Sequence, residues 1–248
     1  MRKKILNYWN KRSHNKTLKC TNDRNLEKYE INFFTSLIRK NKTVLDIGCG
    51  DGELLRFLKK KKKNNCYGID FSPNLIKVAK EKSKNINFYC VDMTKINDEF
   101  RPKIKFDYII TKRSVQNLTS WNDQKKFLKQ LKFFFNRKTK IFLMESSNDG
   151  LKNINKMRKK LNLKLIKKPW HNLYFDDVKL SKTKFLNIKL VNISELFSSY
   201  YFISRVLNAS LKKKPSYNDK LNLSGWKIPQ NLVKGFSQLR LYEFKFIK

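Results

Sequence analysis

The sequence predicts an α/β fold with a parallel central sheet, and three observations predict it. From residue 43 to about 145, short β-branched or aromatic runs alternate with longer stretches whose apolar residues recur at helical spacing. A glycine-rich turn, Gly48-Cys49-Gly50-Asp51-Gly52, follows the first of these runs directly. Aspartates close the next two runs, at Asp70 and Asp92, which places them at the carboxyl edge of the sheet, where ligands of such folds bind.

Each element follows in order. The first strand is Thr43-Val44-Leu45-Asp46-Ile47, and a helix runs from about Asp51 to Lys63. Its lysines 59 to 63 fall in the last turn, where cations suit the helix dipole and solvate freely. The second strand, Cys66 to Asp70, leads into Ser72-Pro73, an N-cap followed by a first helical residue. The helix it starts carries Leu75, Ile76, Val78 and Ala79 on one face. Strand three is Ile86 to Val91, strand four Phe106 to Thr111, and strand five Lys140 to Glu145, with a helix containing Phe127, Leu128, Leu131 and Phe134 before the last. Beyond residue 150 the pattern loosens. A basic helix over about 148–161 precedes the polar and aromatic segment Pro169 to Asp177. A strand over 185–193, an amphipathic helix from Ser198 to Leu211 and a last strand from Leu239 to Ile247 complete the chain.

At 248 residues the chain supports one main core. A hydrophobic content of 40% can fill that core despite a formal net charge of +37. The charge has two readings. One is a partner bearing phosphates, whether nucleic acid or anionic lipid. The other is composition alone, because lysine, asparagine, isoleucine and phenylalanine are all abundant, as AT-rich coding produces. Cys20, Cys49, Cys66 and Cys90 show no paired spacing and no histidine at ligand distance, so neither a metal site nor a disulfide framework is expected. The basic N-terminus lacks the apolar run of a signal peptide, and no run is long enough to span a membrane, so a cytoplasmic protein is expected.

The glycine turn lets the backbone approach a ligand without an intervening Cβ. Its spacing differs from the dinucleotide G-x-G-x-x-G, and Asp51 places a carboxylate where a diphosphate would sit, which favours a ligand without phosphates there. Asp70, about 20 residues further on, is placed to accept both hydroxyls of a ribose.

Val44-Leu45-Asp46-Ile47-Gly48-Cys49-Gly50-Asp51-Gly52, then Tyr67-Gly68-Ile69-Asp70-Phe71-Ser72 and Cys90-Val91-Asp92-Met93-Thr94, resemble the successive motifs of class I S-adenosylmethionine (SAM)-dependent methyltransferases. The resemblance covers about residues 40–146. It implies a Rossmann-like α/β fold, with a seven-stranded, mostly parallel sheet, helices on both faces and an antiparallel last strand. It also implies SAM as cofactor, with Asp46, Gly48, Cys49 and Gly50 along its methionine and ribose part and Asp70 on the ribose. Phe71 would stack on adenine, Asp92 and Met93 would meet the adenine edge, and Thr111 and Lys112 would lie near the sulfonium. Residues 1–40 then read as an N-terminal helical cap, and 41–248 as the SAM-binding domain with a substrate-side elaboration at about 148–235.

A narrower similarity is to bacterial methyltransferases found with polysaccharide or lipopolysaccharide genes. It rests on Trp9 with Arg12, Thr21-Asn22-Asp23, Arg113 with Asn117-Leu118 and Ser120-Trp121, Trp170 to Tyr174, and Ser204-Arg205-Val206 before Ile228-Pro229. Asn136-Arg137-Lys138 replaces that family's glycine pair before strand five. This similarity implies a small-molecule or glycan-type acceptor, methylated at oxygen. His171 suits a general base, and equally a structural histidine beside Trp170. Arg113 and Glu145, at the ends of strands four and five, suit orientation of an acceptor, and Glu145 equally suits capping of a helix. Trp9, Trp121 and Trp170 could form one apolar wall. Two rival readings remain: an RNA methyltransferase docking through the basic surface, and a non-catalytic protein held at an anionic membrane by the 198–211 helix.

Overall fold

The computed structural model describes residues 1–14, 21–134 and 137–247. Cys20 and Asn136 lie outside them. Two helices, α1 (Arg2–His14) and α2 (Arg24–Leu37), precede the sheet. There follow β1 (Thr43–Ile47), α3 (Glu53–Lys62), β2 (Asn65–Asp70), α4 (Pro73–Lys82), β3 (Asn87–Cys90), α5 (Ile96–Glu99) and β4 (Tyr108–Lys112). A 3-10 turn, Val115–Asn117, leads to α6 (Trp121–Gln130) and β5 (Lys140–Ser146). The C-terminal part holds α7 (Asn148–Lys160), α8 (Asp177–Lys182) and β6 (Ile188–Leu196), then short helices α9 (Ser198–Phe202), α10 (Asn208–Leu211) and α11 (Lys220–Ser224), and finally β7 (Leu239–Phe246).

The sheet has seven strands in the order β3-β2-β1-β4-β5-β7-β6, parallel from β3 to β5, with β7 antiparallel to both its neighbours. The order reverses beside β1, so the loops after β1 and β4 leave the sheet as neighbours and open a crevice at its carboxyl edge. Strand periodicity divides the core between two faces. Val44, Tyr108, Ile110, Phe142 and Met144 pack on one side, against α2, α3 and α7. Leu45, Ile47, Ile109, Ile141 and Leu143 pack on the other, with Phe127, Leu128 and Phe175. The caps expected from sequence form: Ser72 Oγ accepts from Leu75 N at 3.2 Å, and Pro73 opens α4. Lys63 ends α3 with a positive φ of 54°.

Two expectations need correction. The strand expected over 185–193 occupies Ile188–Leu196, because Phe185 is spent in the core before the strand begins and a bulge between Leu190 and Asn192 breaks the alternation that sequence reading relies on. The 198–211 helix contains a π turn at Ile203–Leu207. Tyr200, Tyr201, Ile203 and Val206 of this segment are buried in the protein itself, so these side chains are spent in the core. Among the described residues, no helix is long and apolar enough to cross one.

Candidate functional site

A cavity of about 460 Å³ opens at the carboxyl edge, floored by the loops after β1, β2 and β4 and roofed by α1, the start of α2 and the 166–174 segment. Its first loop is held by backbone bonds. Gly48 N and Cys49 N both donate to Ile69 O, at 2.7 and 3.0 Å, and Gly50 N donates to Asp70 Oδ2 at 3.0 Å. Glycine is required at 48: φ is +78°, and a Cβ there would lie 2.2 Å from Ser114 Cβ. Ser114 Oγ in turn donates to Ile47 O at 2.6 Å, clamping the loops after β1 and β4 together.

Three carboxylates lie on the floor. Asp46 is 2% exposed, and its Oδ1 has no hydrogen-bond partner among the described residues. Burial pushes its carboxyl up to about 7, with Lys112 acting in opposition. Asp70 accepts one backbone N–H on each oxygen, from Gly50 and from Ser72, and burial pushes it up to about 6 against those bonds. The carboxylate keeps accepting capacity beyond these bonds for a ligand. Asp92 accepts from Arg2 Nη2 at 2.7 Å and from Thr94 N at 2.9 Å, so α1 is tied down onto the end of the sheet. A second tie joins Ser72 Oγ to Asn10 Oδ1 at 2.6 Å. Cys49, Phe71 and Met93 line the same floor.

The next residues divide. Lys112 and Arg113 line the cavity and converge on two acids of α2. Lys112 Nζ lies 3.8 Å from Glu27 and 3.7 Å from Glu30, and Arg113 Nη2 lies 3.0 Å from the fully buried Glu30. Arg113 itself has a positive φ of 54°. Thr111 and Glu145 do not reach the cavity. Glu145 is buried beneath it and accepts from Thr111 Oγ1, Ser114 N, Val115 N and Gln116 N at 2.7 to 3.2 Å. This carboxylate satisfies the free amides at the start of the 3-10 turn. Its geometry is that of the cap and not of an acceptor-orienting group, and the Thr111 side chain is spent as its partner.

His171 closes the outer half. It is 8% exposed, with its ring 4.5 Å from Tyr8, 5.2 Å from Trp170 and 5.8 Å from Trp9. Its Nδ1 is buried without a hydrogen-bond partner among the described residues. Burial, and then the nearby Arg12, lower its pKa, so the ring is neutral at neutral pH. Trp121 stands apart from this wall, outside the cavity with Lys179 Nζ 5.1 Å from its ring centre. Behind the wall, Asp23 caps α2 through Leu26 N and also holds Arg205 at 3.0 Å and the Tyr200 hydroxyl at 2.9 Å. Tyr201 and Arg205 line the cavity from this side.

Sequence reasoning did not single out Arg2, Tyr8, Glu27, Glu30, Ser114 or Gln116. The two glutamates had a readable signal, since acids three residues apart on the buried face of an amphipathic helix demand partners. Ser114 and Gln116 had none, because their place follows from the pairing of β1 with β4.

The methyltransferase-domain family matches residues 38–188. An uncharacterised protein of Methanocaldococcus jannaschii is 34% identical over 101 residues, which cover 39% of this chain and 46% of that protein. The ribosomal RNA small subunit methyltransferase A of Mesomycoplasma hyopneumoniae is 42% identical over 67 residues, which cover 27% of this chain and 25% of that one. The match thus spans less than half the length of these curated relatives. Among solved structures, the N-methyltransferase NodS of Bradyrhizobium japonicum, in complex with S-adenosylhomocysteine (SAH), superposes with a TM-score of 0.58 at 10% identity, covering 98% of both chains. With the family matched over more than half of the chain and the full seven-strand order in place, this protein belongs to the class I, SAM-dependent methyltransferases of the methyltransferase-domain family.

Proposed function

We propose that this protein transfers the methyl group of SAM to a hydroxyl of a small molecule or surface-glycan precursor. The observation that carries the oxygen-directed reading is His171: a largely buried imidazole with a lowered pKa that lines the same cavity as the three carboxylates.

The residues present fit the cofactor. The orphaned Oδ1 of Asp46 requires a donor, which the ammonium of the methionine part would supply. The remaining accepting capacity of Asp70 suits ribose hydroxyls, the Gly48 to Gly50 backbone admits a close approach, and Phe71 with Met93 offers an apolar face to adenine. SAM brings a methyl group already activated by its sulfonium, so alignment and exclusion of water can supply much of the rate. The chain supplies both: α1, tied to Asp92 and Ser72, covers the crevice, and the His171 imidazole takes the proton that the attacking hydroxyl gives up. Arg113, braced by Glu30, is placed to orient an acceptor.

His171→Ala should leave SAH affinity intact by calorimetry and lower turnover roughly a hundredfold. The acceptor is found by incubating the protein with radiolabelled SAM and fractionated extract and asking which fraction gains label. Label in glycan or small hydroxylated metabolites supports the proposal, and unchanged turnover in His171→Ala with that acceptor removes the base from the mechanism.

A second reading, methylation of RNA, draws on the ribosomal RNA methyltransferase relative and on the +37 charge. Label entering RNA, with binding that falls steeply as salt rises while SAH binding stays level, would favour it.

A further inference from the structure

We infer that the exposed strap over residues 159–170, together with the first turn of α1, is a docking surface for an anionic lipid bilayer, which holds the mouth of the cavity at the level of the headgroups. This surface is separate from the chemistry of transfer and stands whichever group is methylated.

The strap is shaped by its connections to α7. Asn162, with a positive φ of 51°, reverses the chain after that helix. Arg158 donates to Lys164 O through Nε and Nη2, at 2.8 and 2.6 Å, and Leu163 N donates to Arg158 O at 2.8 Å. Further along, Asn155 Nδ2 donates to Ile166 O at 3.0 Å, and Ile166 N donates back to Asn155 Oδ1 at 2.9 Å. Held through its backbone, the strap turns Leu163 and Ile166 inward and leaves every other residue from 159 to 170 exposed. Ile166, Lys167, Pro169 and His171 line the cavity, so the strap is its rim. Lys4 Nζ lies 4.9 Å from the Trp170 ring centre, which joins the exposed Met1 end of α1 to the same rim.

The side chains of this rim select its partner. Leu161, Leu165 and Trp170 are 45, 48 and 47% exposed, and Lys159, Lys160, Lys164, Lys167 and Lys168 stand among them. No acid occurs from residue 150 to residue 175, and the first four of these lysines form no ion pair among the described residues. A single exposed leucine is ordinary. Three large apolar side chains on one short, wholly basic strap match an anionic headgroup layer. There lysine ammonium groups meet the phosphates, a tryptophan sits at the interface, and leucines reach the acyl boundary. RNA offers phosphates and nothing for aliphatic side chains, and it is read largely by arginine forks. The one arginine in this stretch, Arg158, is turned back onto the carbonyl of Lys164.

The test uses the full chain without cofactor, so its result does not depend on the methyl-transfer reading. Vesicles of phosphatidylcholine, with and without phosphatidylglycerol, are the probes, and polyuridylate is the comparison polyanion. Co-sedimentation should retain the protein on the anionic vesicles and not on phosphatidylcholine alone. Each lysine at such a surface strengthens binding roughly fivefold, so Lys160→Gln with Lys164→Gln should weaken it roughly 25-fold. Lys126→Gln with Lys129→Gln removes the same charge from α6, which packs on the opposite face of the sheet, and should weaken it by under roughly threefold. Leu161→Ser with Leu165→Ser should weaken vesicle binding roughly tenfold and leave polyuridylate binding unchanged. Vesicles with brominated acyl chains should quench tryptophan emission, and Trp170→Phe should abolish most of that quenching. SAH affinity by calorimetry should stay constant in both lysine pairs, since none of the four lines the cavity. Equal losses in the two lysine pairs would mean a diffuse field and overturn the docking surface. Binding to polyuridylate without retention on anionic vesicles, or quenching that survives Trp170→Phe, would overturn it as well. If the leucine variant fails to fold, the lysine pairs and the quenching still decide.

Discussion

Replacing Asp46 with Asn should remove a large part of the pH dependence of this protein's stability. Asp46 is 2% exposed, and burial carries its carboxyl from 3.8 to about 7. A carboxyl held higher in the folded than in the unfolded chain keeps its proton more tightly when folded. The stabilisation is therefore complete below about pH 4 and lost as pH rises through about 7. At about 1.4 kcal/mol per pH unit the full effect is roughly 4 kcal/mol, of which more than half falls between about pH 5 and pH 8. For a chain of this size, roughly 1 kcal/mol moves Tm by about 2–4 °C, so this group should lower Tm by about 5–10 °C across that range. Asp70 and Glu145 are raised by burial as well, to about 6 and about 7, and act in the same direction. The informative quantity is therefore the difference between the wild-type and Asp46→Asn curves, read by scanning calorimetry at stepped pH. A ligand that brings an ammonium to Asp46 should stabilise the wild type more at pH 8 than at pH 5, and should lose that pH dependence in the variant. Parallel Tm curves for the two proteins would refute the argument, since they would mean that Asp46 is solvated or already neutralised in the folded chain.

Two further substitutions separate the floor of the site from its support. Gly48→Ala places a Cβ against Ser114 in a left-handed conformation, so the loops after β1 and β4 must part. SAH affinity should fall at least tenfold in calorimetry with the protein still folded by circular dichroism, and unchanged affinity would show that the clamp between these loops is dispensable. Glu145→Ala strips one acceptor from a hydroxyl and three backbone amides, at roughly 1–3 kcal/mol for each donor left dry, so denaturant stability should drop by at least roughly 4 kcal/mol. Glu145→Gln keeps one accepting oxygen and should cost less. A fully stable Glu145→Ala with impaired turnover would return Glu145 to the chemistry.

The parallel half of the sheet was legible because its strands are short, β-branched and punctuated by glycine, proline and aspartate, each with a local reason to be there. Asp46, Gly48 and Asp70 face the cavity for that same reason: they end parallel strands, and strand ends define the crevice. Glu145 shows the limit of that logic. It also ends a strand, yet the following turn folds back over it, and no local pattern reveals that three amides will converge on its carboxylate. The C-terminal third was harder to read because β6 begins late, bulges at Leu190, and pairs only with a strand more than 40 residues away. Trp121 and Trp170 were indistinguishable as letters. One packs beside the core under Lys179 and the other rings His171, a difference set by which loop crosses the sheet edge.

The distribution of charge bears on the choice between acceptors. Bases outnumber acids 57 to 20 in the chain, yet the cavity is lined by seven acids and six bases, so the surface excess does not continue inside. The type of base changes too. Four of the 11 arginines line the cavity and only two of the 46 lysines, which leaves nearly all the lysine on surfaces remote from the chemistry. Guanidinium forks at fixed positions, most of them facing a carboxylate, are instruments of orientation, whereas dispersed ammonium groups supply a diffuse field. A polyanion drawn in by that field would find three of the four cavity arginines already paired with carboxylates, Arg2 with Asp92, Arg113 with Glu30 and Arg205 with Asp23. The floor suits a molecule carrying positive charge and ribose hydroxyls, and the arginines above it suit a neutral or singly anionic acceptor. That asymmetry favours the hydroxylated small molecule over the nucleic acid.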